Sequence, residues 1–191
     1  MEYIAKILTN YIFQKGMITE KSYEAYMYGF QCFLELSISI FSSIIISVYL
    51  KMIPECLFFF LFFIPLRSYG GGLHLKTFFS CFISSCIIIT STLLTVKYLD
   101  ISILLSYGLY IISAFLIIII GPVDHPNREV NEFDNTIFVK RTYICILISL
   151  IFSIIFVIYK NAHYMLLEAI VFSFVFITSL TGKILYKQKR T

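Results

Sequence analysis

Charge is scarce in this sequence. Asp, Glu, Lys and Arg make up only 14% of the 191 residues, against about 25% in an ordinary soluble domain. The shortage is uneven, because charges bunch in short clusters with long apolar runs between them. Cysteine is present but not patterned. There are five, at 32, 56, 81, 86 and 145, and no two make a CxxC pair. That odd, scattered set argues against a disulfide framework or a zinc knuckle and suits small apolar packing residues. No uninterrupted apolar stretch opens the chain. Met1 to Tyr28 carries Glu2, Glu20 and Glu24, so no cleavable signal peptide is expected. HExxH, GxSxG and a phosphate-binding Walker loop are also missing, which argues against a zinc protease or an ATP-driven exporter.

What is present is apolar: 59% of the residues are hydrophobic. A run of about 18 or more apolar residues matches a hydrocarbon core about 30 Å thick. The expected fold is an all-α integral membrane protein, a single membrane domain over residues 1–191. Six spans are expected, at approximately 30–50, 52–66, 78–96, 101–121, 142–159 and 164–182. Each must be helical, since lipid offers nothing to satisfy an open backbone. The second span is short and carries Glu55, so it is expected to tilt little or to be partly re-entrant. Residues 1–28 form an amphipathic N-terminal segment. Ile4, Ile7, Leu8, Tyr11 and Ile12 recur at helical spacing and predict a helix lying in the membrane interface. Gly16 ends it, and Thr19 is the expected cap of the next helix.

Lys and Arg placement gives the orientation. With the N-terminus inside, only Lys51, Lys97 and Lys160 of the 15 basic residues fall outside, a ratio of twelve to three. Both termini and the loops at 67–77 and 122–141 are then expected in the cytoplasm. Glu35 and Glu168 lie near span ends and Glu55 at the outer end of the second span. They are expected to snorkel, or to pair with Lys51 or Lys160.

The least ordinary segment runs from Arg67 through Gly70-Gly71-Gly72 and His74 to Cys81. Three consecutive glycines imply a tight bend or a close backbone approach. On one continuous helix, residues seven apart are about 10 Å apart along the axis, too far for a hydrogen bond. With Thr77 as N-cap, Cys81 enters the first turn of the third span and His74 stays on a loop able to fold back over it. A helix N-terminus lowers a thiol pKa. First-turn amides such as those of Phe79 and Ser80 are candidate oxyanion donors. The constellation suits Cys/His acyl transfer. The plainer alternative is a packing cysteine beside a solvated histidine. Asp124 and His125 offer a group to orient His74, or a solvated turn favoured by Pro122, Pro126 and Asn127. No compact ligand spacing joins His74, Cys81, Asp124 and His125, so no metal is expected. Cys86 faces elsewhere and is expected to pack.

The stretch Arg67-Ser-Tyr-Gly-Gly-Gly-Leu-His-Leu-Lys-Thr-Phe-Phe-Ser-Cys81 resembles the signature of the accessory gene regulator B family. These are membrane cysteine endopeptidases that mature cyclic autoinducing peptides in Gram-positive bacteria. The Pro-led stretch Gly121 to Glu129 resembles the family's loop after the fourth span. The resemblance covers nearly the whole chain. It implies His74 and Cys81 as catalytic residues, with Arg67, Lys76, Gly71, Gly72, Asp124 and His125 as candidate substrate-binding residues. It implies a precursor peptide with an acidic C-terminal tail, a homodimer in the cell membrane, no cofactor and no nucleic-acid partner. A non-enzymatic transporter or receptor for an anionic peptide is the alternative, with Arg67, His74 and Lys76 as the anion-binding residues.

Overall fold

The computed structural model of the chain describes residues 2–70, 78–121 and 132–187. The described residues are helical throughout, apart from turns, and contain no strand. Seven α-helices occur: α1 Glu2–Gln14, α2 Tyr23–Leu50, α3 Ile53–Gly70, α4 Phe78–Tyr98, α5 Ile103–Ile120, α6 Glu132–Ile158 and α7 Ala162–Lys187. The last six are long and apolar enough to cross a membrane. The chain is a multi-pass, all-α membrane protein.

The helix ends follow local chemistry. Gly16 takes φ +70° after α1, a value that costs glycine nothing. Thr19 and Ser22 form a capping box over a short 3-10 turn, Glu20–Ser22, that leads into α2. The Ser102 side chain accepts from the Leu105 amide at the start of α5, and Gly121, at φ +67°, ends that helix. The Asn161 side chain accepts from the Tyr164 amide at 3.2 Å and starts α7. Lys51 and Lys160 adopt positive φ at the turns after α2 and α6.

Three expected boundaries differ. The second span is longer than expected: α3 runs 18 residues, to Gly70, about 27 Å at 1.5 Å per residue. It continues through Pro65, so Arg67, Ser68, Tyr69 and Gly70 are helical and not loop. Helix α6 begins at Glu132 rather than at 142, and α7 continues to Lys187 rather than ending near 182. The physical reason is common to all three. Charge marks where a helix leaves the hydrocarbon, not where its hydrogen bonds stop.

The chain divides into two compact units, Met1–Tyr49 with Leu75–Thr90, and Leu50–His74 with Ser91–Thr191. In the first, α1 buries Ala5 and Thr9, and the Thr9 hydroxyl donates back to the Ala5 carbonyl at 2.8 Å. Phe13 meets Tyr23 edge-on, with centroids 5.7 Å apart. Ile4, Ile7, Leu8 and Tyr11 stay exposed, the open apolar face that an interfacial helix needs.

In the second unit α5 packs along α7, and α3 packs on α6 and α7. Phe59, Phe62 and Leu66 from α3, Tyr110 and Ile117 from α5, and Leu167, Val171 and Phe172 from α7 fill its core. Phe58 anchors an aromatic cluster, with Phe62, Phe152, Phe156 and Tyr164 all edge-on to it at 5.2–5.8 Å. Water drives no packing between helices in lipid, so this shape fit and the few polar contacts carry the association.

Two carboxylates depart from the sequence expectation. Glu55 pairs with neither Lys51 nor Lys160, but with His163 at 3.0 Å. Glu168 does not snorkel. It is 0% exposed, deep among α5, α6 and α7.

Candidate active site

Helix α4 starts at Phe78, so Cys81 is its fourth residue and lies in the first turn. That is the placement expected from the sequence. The Cys81 side chain is half-buried, and its carbonyl accepts the Ser85 hydroxyl at 3.0 Å. Phe79 and Ser80 share the turn. First-turn amides have no acceptor within their own helix and gather partial positive charge at that end.

Cys81 has one neighbour that the sequence reading did not single out. Cys32 of α2, in the same unit, lies within electrostatic range of both Cys81 and Glu35. Glu35 in turn accepts from the Gln31 amide at 3.1 Å. Cys32 is separated from Cys81 by 49 positions in sequence, so spacing gave no signal for this approach. Cys86, five residues after Cys81, is also half-buried and free of any disulfide.

Of the expected site residues, His74, Lys76, Gly71, Gly72, Asp124 and His125 lie outside the described residues, as does the expected cap Thr77. Arg67 is described. It sits in the last turn of α3, half-buried, with its guanidinium 5.9 Å from the Phe63 ring centroid. A cation at a helix C-terminus is favourable by up to about 1 kcal/mol at an exposed site. Arg67 belongs to the second unit and Cys81 to the first.

Two residues on from Arg67, Tyr69 makes contacts with α6. Its ring stacks on Phe138 of α6 with centroids 6.4 Å apart. The Arg141 guanidinium lies 5.0 Å from the Tyr69 ring centroid and donates to its hydroxyl at 3.3 Å. Because α3 and α6 both extend past their apolar segments, their ends meet through this trio. The loop assignment of Tyr69, Phe138 and Arg141 hid the contact from sequence reasoning. Among the described residues, no three His, Cys, Asp or Glu side chains gather as a metal site would require.

Six membrane-length helices, one of them with a cysteine in its first turn, define a multi-pass membrane protein. The accessory gene regulator B family model matches residues 5–181. The chain belongs to that family, and hence to the processing of quorum-sensing peptides. Comparison with curated proteins gives no match, and comparison with solved structures gives none either.

Proposed function

We propose that this protein is a membrane-embedded cysteine endopeptidase that removes the C-terminal tail from a quorum-sensing precursor and supports its cyclisation. The observation that carries the reading is Cys81 in the first turn of α4, inside the segment matched by the family. The Cys81 sulfur attacks the carbonyl carbon at the junction with the acidic tail, and His74 accepts the thiol proton. First-turn amides stabilise the oxyanion. The C–N bond then breaks, and His74 returns the proton to the leaving amine. What remains is a thioester between Cys81 and the truncated peptide. The peptide's own Cys or Ser attacks that thioester, releases Cys81 and closes a thiolactone or lactone. Water must be excluded meanwhile, or the product is linear. A half-buried sulfur at a membrane edge suits that demand.

The test is reconstitution. Purified protein in liposomes, given its cognate precursor, is expected to yield free tail peptide and a ring lighter than the linear fragment by one water. Precursor that stays intact while bound or moved across the vesicle would replace the enzyme with a transporter or receptor.

The twelve-to-three distribution of Lys and Arg supports a cytoplasmic placement of both termini and of Cys81. The expectation is checked with single cysteines in a background whose native cysteines are replaced. Lys160→Cys, at the exposed turn before α7, is expected to react with an impermeant maleimide on intact cells. Ser68→Cys, exposed near the end of α3, is expected to react only after lysis. The reverse pattern would invert the topology.

A further inference from the structure

Helices α5 and α7 run parallel and in step. The Ser113 and Ser173 hydroxyls meet at 3.1 Å, and Lys183 Nζ donates to the Ile120 carbonyl at 2.7 Å. Those pairs are offset by 60 and 63 residues. The same offset sets Glu168 level with position 108 of α5, between Ser106 and Tyr110. Glu168 lies about 9 Å from the start of α7, counting 1.5 Å per residue, within a helix long and apolar enough to cross a membrane.

A polar cluster surrounds that level. Ser106 and Tyr110 from α5, Ser149 and Ser153 from α6, and Glu168 from α7 are each no more than 1% exposed. Tyr110 lies within electrostatic range of Glu168 and close to Ser153. Nevertheless both Glu168 oxygens and the Ser106 Oγ have no hydrogen-bond partner among the described residues.

The α6 serines direct their hydrogens to backbone carbonyls. Ser149 donates to the Ile146 carbonyl at 2.8 Å and Ser153 to the Leu150 carbonyl at 2.9 Å. Tyr110 is therefore the donor in its 2.7 Å contact with Ser149. These three hydroxyls retain only lone pairs. Glu168 is thus a carboxylate near hydroxyls with free lone pairs, and among the described residues none of them donates to it. A bare carboxylate there would be strongly disfavoured. Among the described residues, no cationic side chain acts on it. The titratable neighbour of Glu168 on α5 is Tyr110, which in turn lies within range of Tyr107. From α6 the cluster takes Ser149 and Ser153. Glu55 of α3, toward the same end, is bound to His163.

We propose that Glu168, Ser106, Tyr110, Ser149 and Ser153 form an intramembrane site for one monovalent metal cation of the sodium class. The charge count selects the class. One carboxylate among neutral hydroxyls balances one positive charge, whereas a divalent ion would leave a net charge in hydrocarbon. Hard oxygen ligands select an alkali ion over a soft metal. The bound ion holds α5, α6 and α7 together, and a proton on Glu168 competes with it.

The site is tested on the purified full-length protein in detergent, by thermal unfolding at pH 8. NaCl is exchanged for N-methylglucamine chloride at constant ionic strength. Wild-type protein is expected to gain Tm saturably with Na⁺, because a ligand of the folded state stabilises it. Glu168→Gln is expected to lose that response. Ser106→Ala is expected to need roughly tenfold more Na⁺, as for a lost ligand of about 1.4 kcal/mol. Lowering the pH is expected to raise the Na⁺ needed for half-saturation. Infrared difference spectra of the wild type supply a readout that survives a misfolded Glu168→Gln. The carboxylic-acid carbonyl band formed without alkali ions is expected to vanish when Na⁺ is added. The site is refuted if Tm does not respond saturably to Na⁺, Li⁺ or K⁺. It is also refuted by an equal response in Glu168→Gln, or by an acid band that persists at saturating Na⁺, which would mean a proton alone.

Discussion

Cys81→Ala is expected to abolish precursor cleavage while the protein still reaches the membrane. The side chain is half-buried in the first turn of α4, and loss of one sulfur there leaves the helix its hydrogen bonds. In the proposed mechanism Cys81 carries the acyl intermediate, and removing such a nucleophile lowers turnover by about a thousandfold or more. His74→Ala is expected to come close to that loss. The thiol then lacks its base and the leaving amine its acid, although a helix N-terminus still favours some thiolate and permits slow residual cleavage. Cys86→Ala is the control. That thiol lies five residues along α4, past the first turn, and its loss is expected to leave cleavage within about twofold of wild type, as for a small change away from the reacting atoms. Tail release measured in liposomes, with membrane insertion assayed separately, checks all three. Normal processing by Cys81→Ala would remove Cys81 from catalysis and with it the proposed mechanism.

Arg67→Lys is expected to reduce cleavage by roughly tenfold to a hundredfold even though the charge is kept. An acidic tail needs a cation near the scissile bond, and a guanidinium holds a carboxylate through two parallel hydrogen bonds where an ammonium offers a point charge. One such bond lost corresponds to about 1.5–3 kcal/mol. Lys76→Ala is expected to be milder. Processing is also expected to weaken as salt rises, because exposed charges are screened over about 10 Å at 0.1 M. The structure sharpens the competing explanation. Arg67 lies at the C-terminal turn of α3, over the Phe63 ring, a position where any cation suits the helix dipole. If Arg67 serves only as that anchor, lysine replaces it at little cost. Full cleavage by an inserted Arg67→Lys protein would therefore exclude Arg67 from substrate recognition.

Much of the architecture was legible because lipid removes choices. Apolar length sets the spans, and the bilayer forces them to be helices whatever the β-branched content of runs such as Ile117 to Ile120. The amphipathic helix was legible from the spacing of Ile4, Ile7, Leu8 and Tyr11, and the cap from Thr19. Helix ends were not. Arg67 and Tyr69 were assigned to a loop because charge and the glycine run read as a boundary. Yet α3 keeps its backbone bonds to Gly70, and α6 takes them up again at Glu132. The Tyr69–Arg141 contact depends on both extensions. In the candidate site, Cys81 was placed in its first turn by the expected start of α4, and that placement holds. The approach of Cys32 was hidden, because it joins helices distant in the chain.

The sequence alone therefore determined the features that one-dimensional patterns dictate. Six apolar lengths meet one bilayer thickness, basic residues cluster at one set of loops, and Arg67, His74 and Cys81 stand at a family's spacing. Tertiary structure decided which polar groups face each other across helices. Glu55 found His163 rather than a lysine. Glu168, which by position alone resembles an interfacial carboxylate, turned inward to a cluster of hydroxyls from α5 and α6. Depth along a helix can be counted from sequence, but the direction in which a side chain points is set by the neighbouring helices. In a bundle where every face is apolar, periodicity carries almost no signal for that direction.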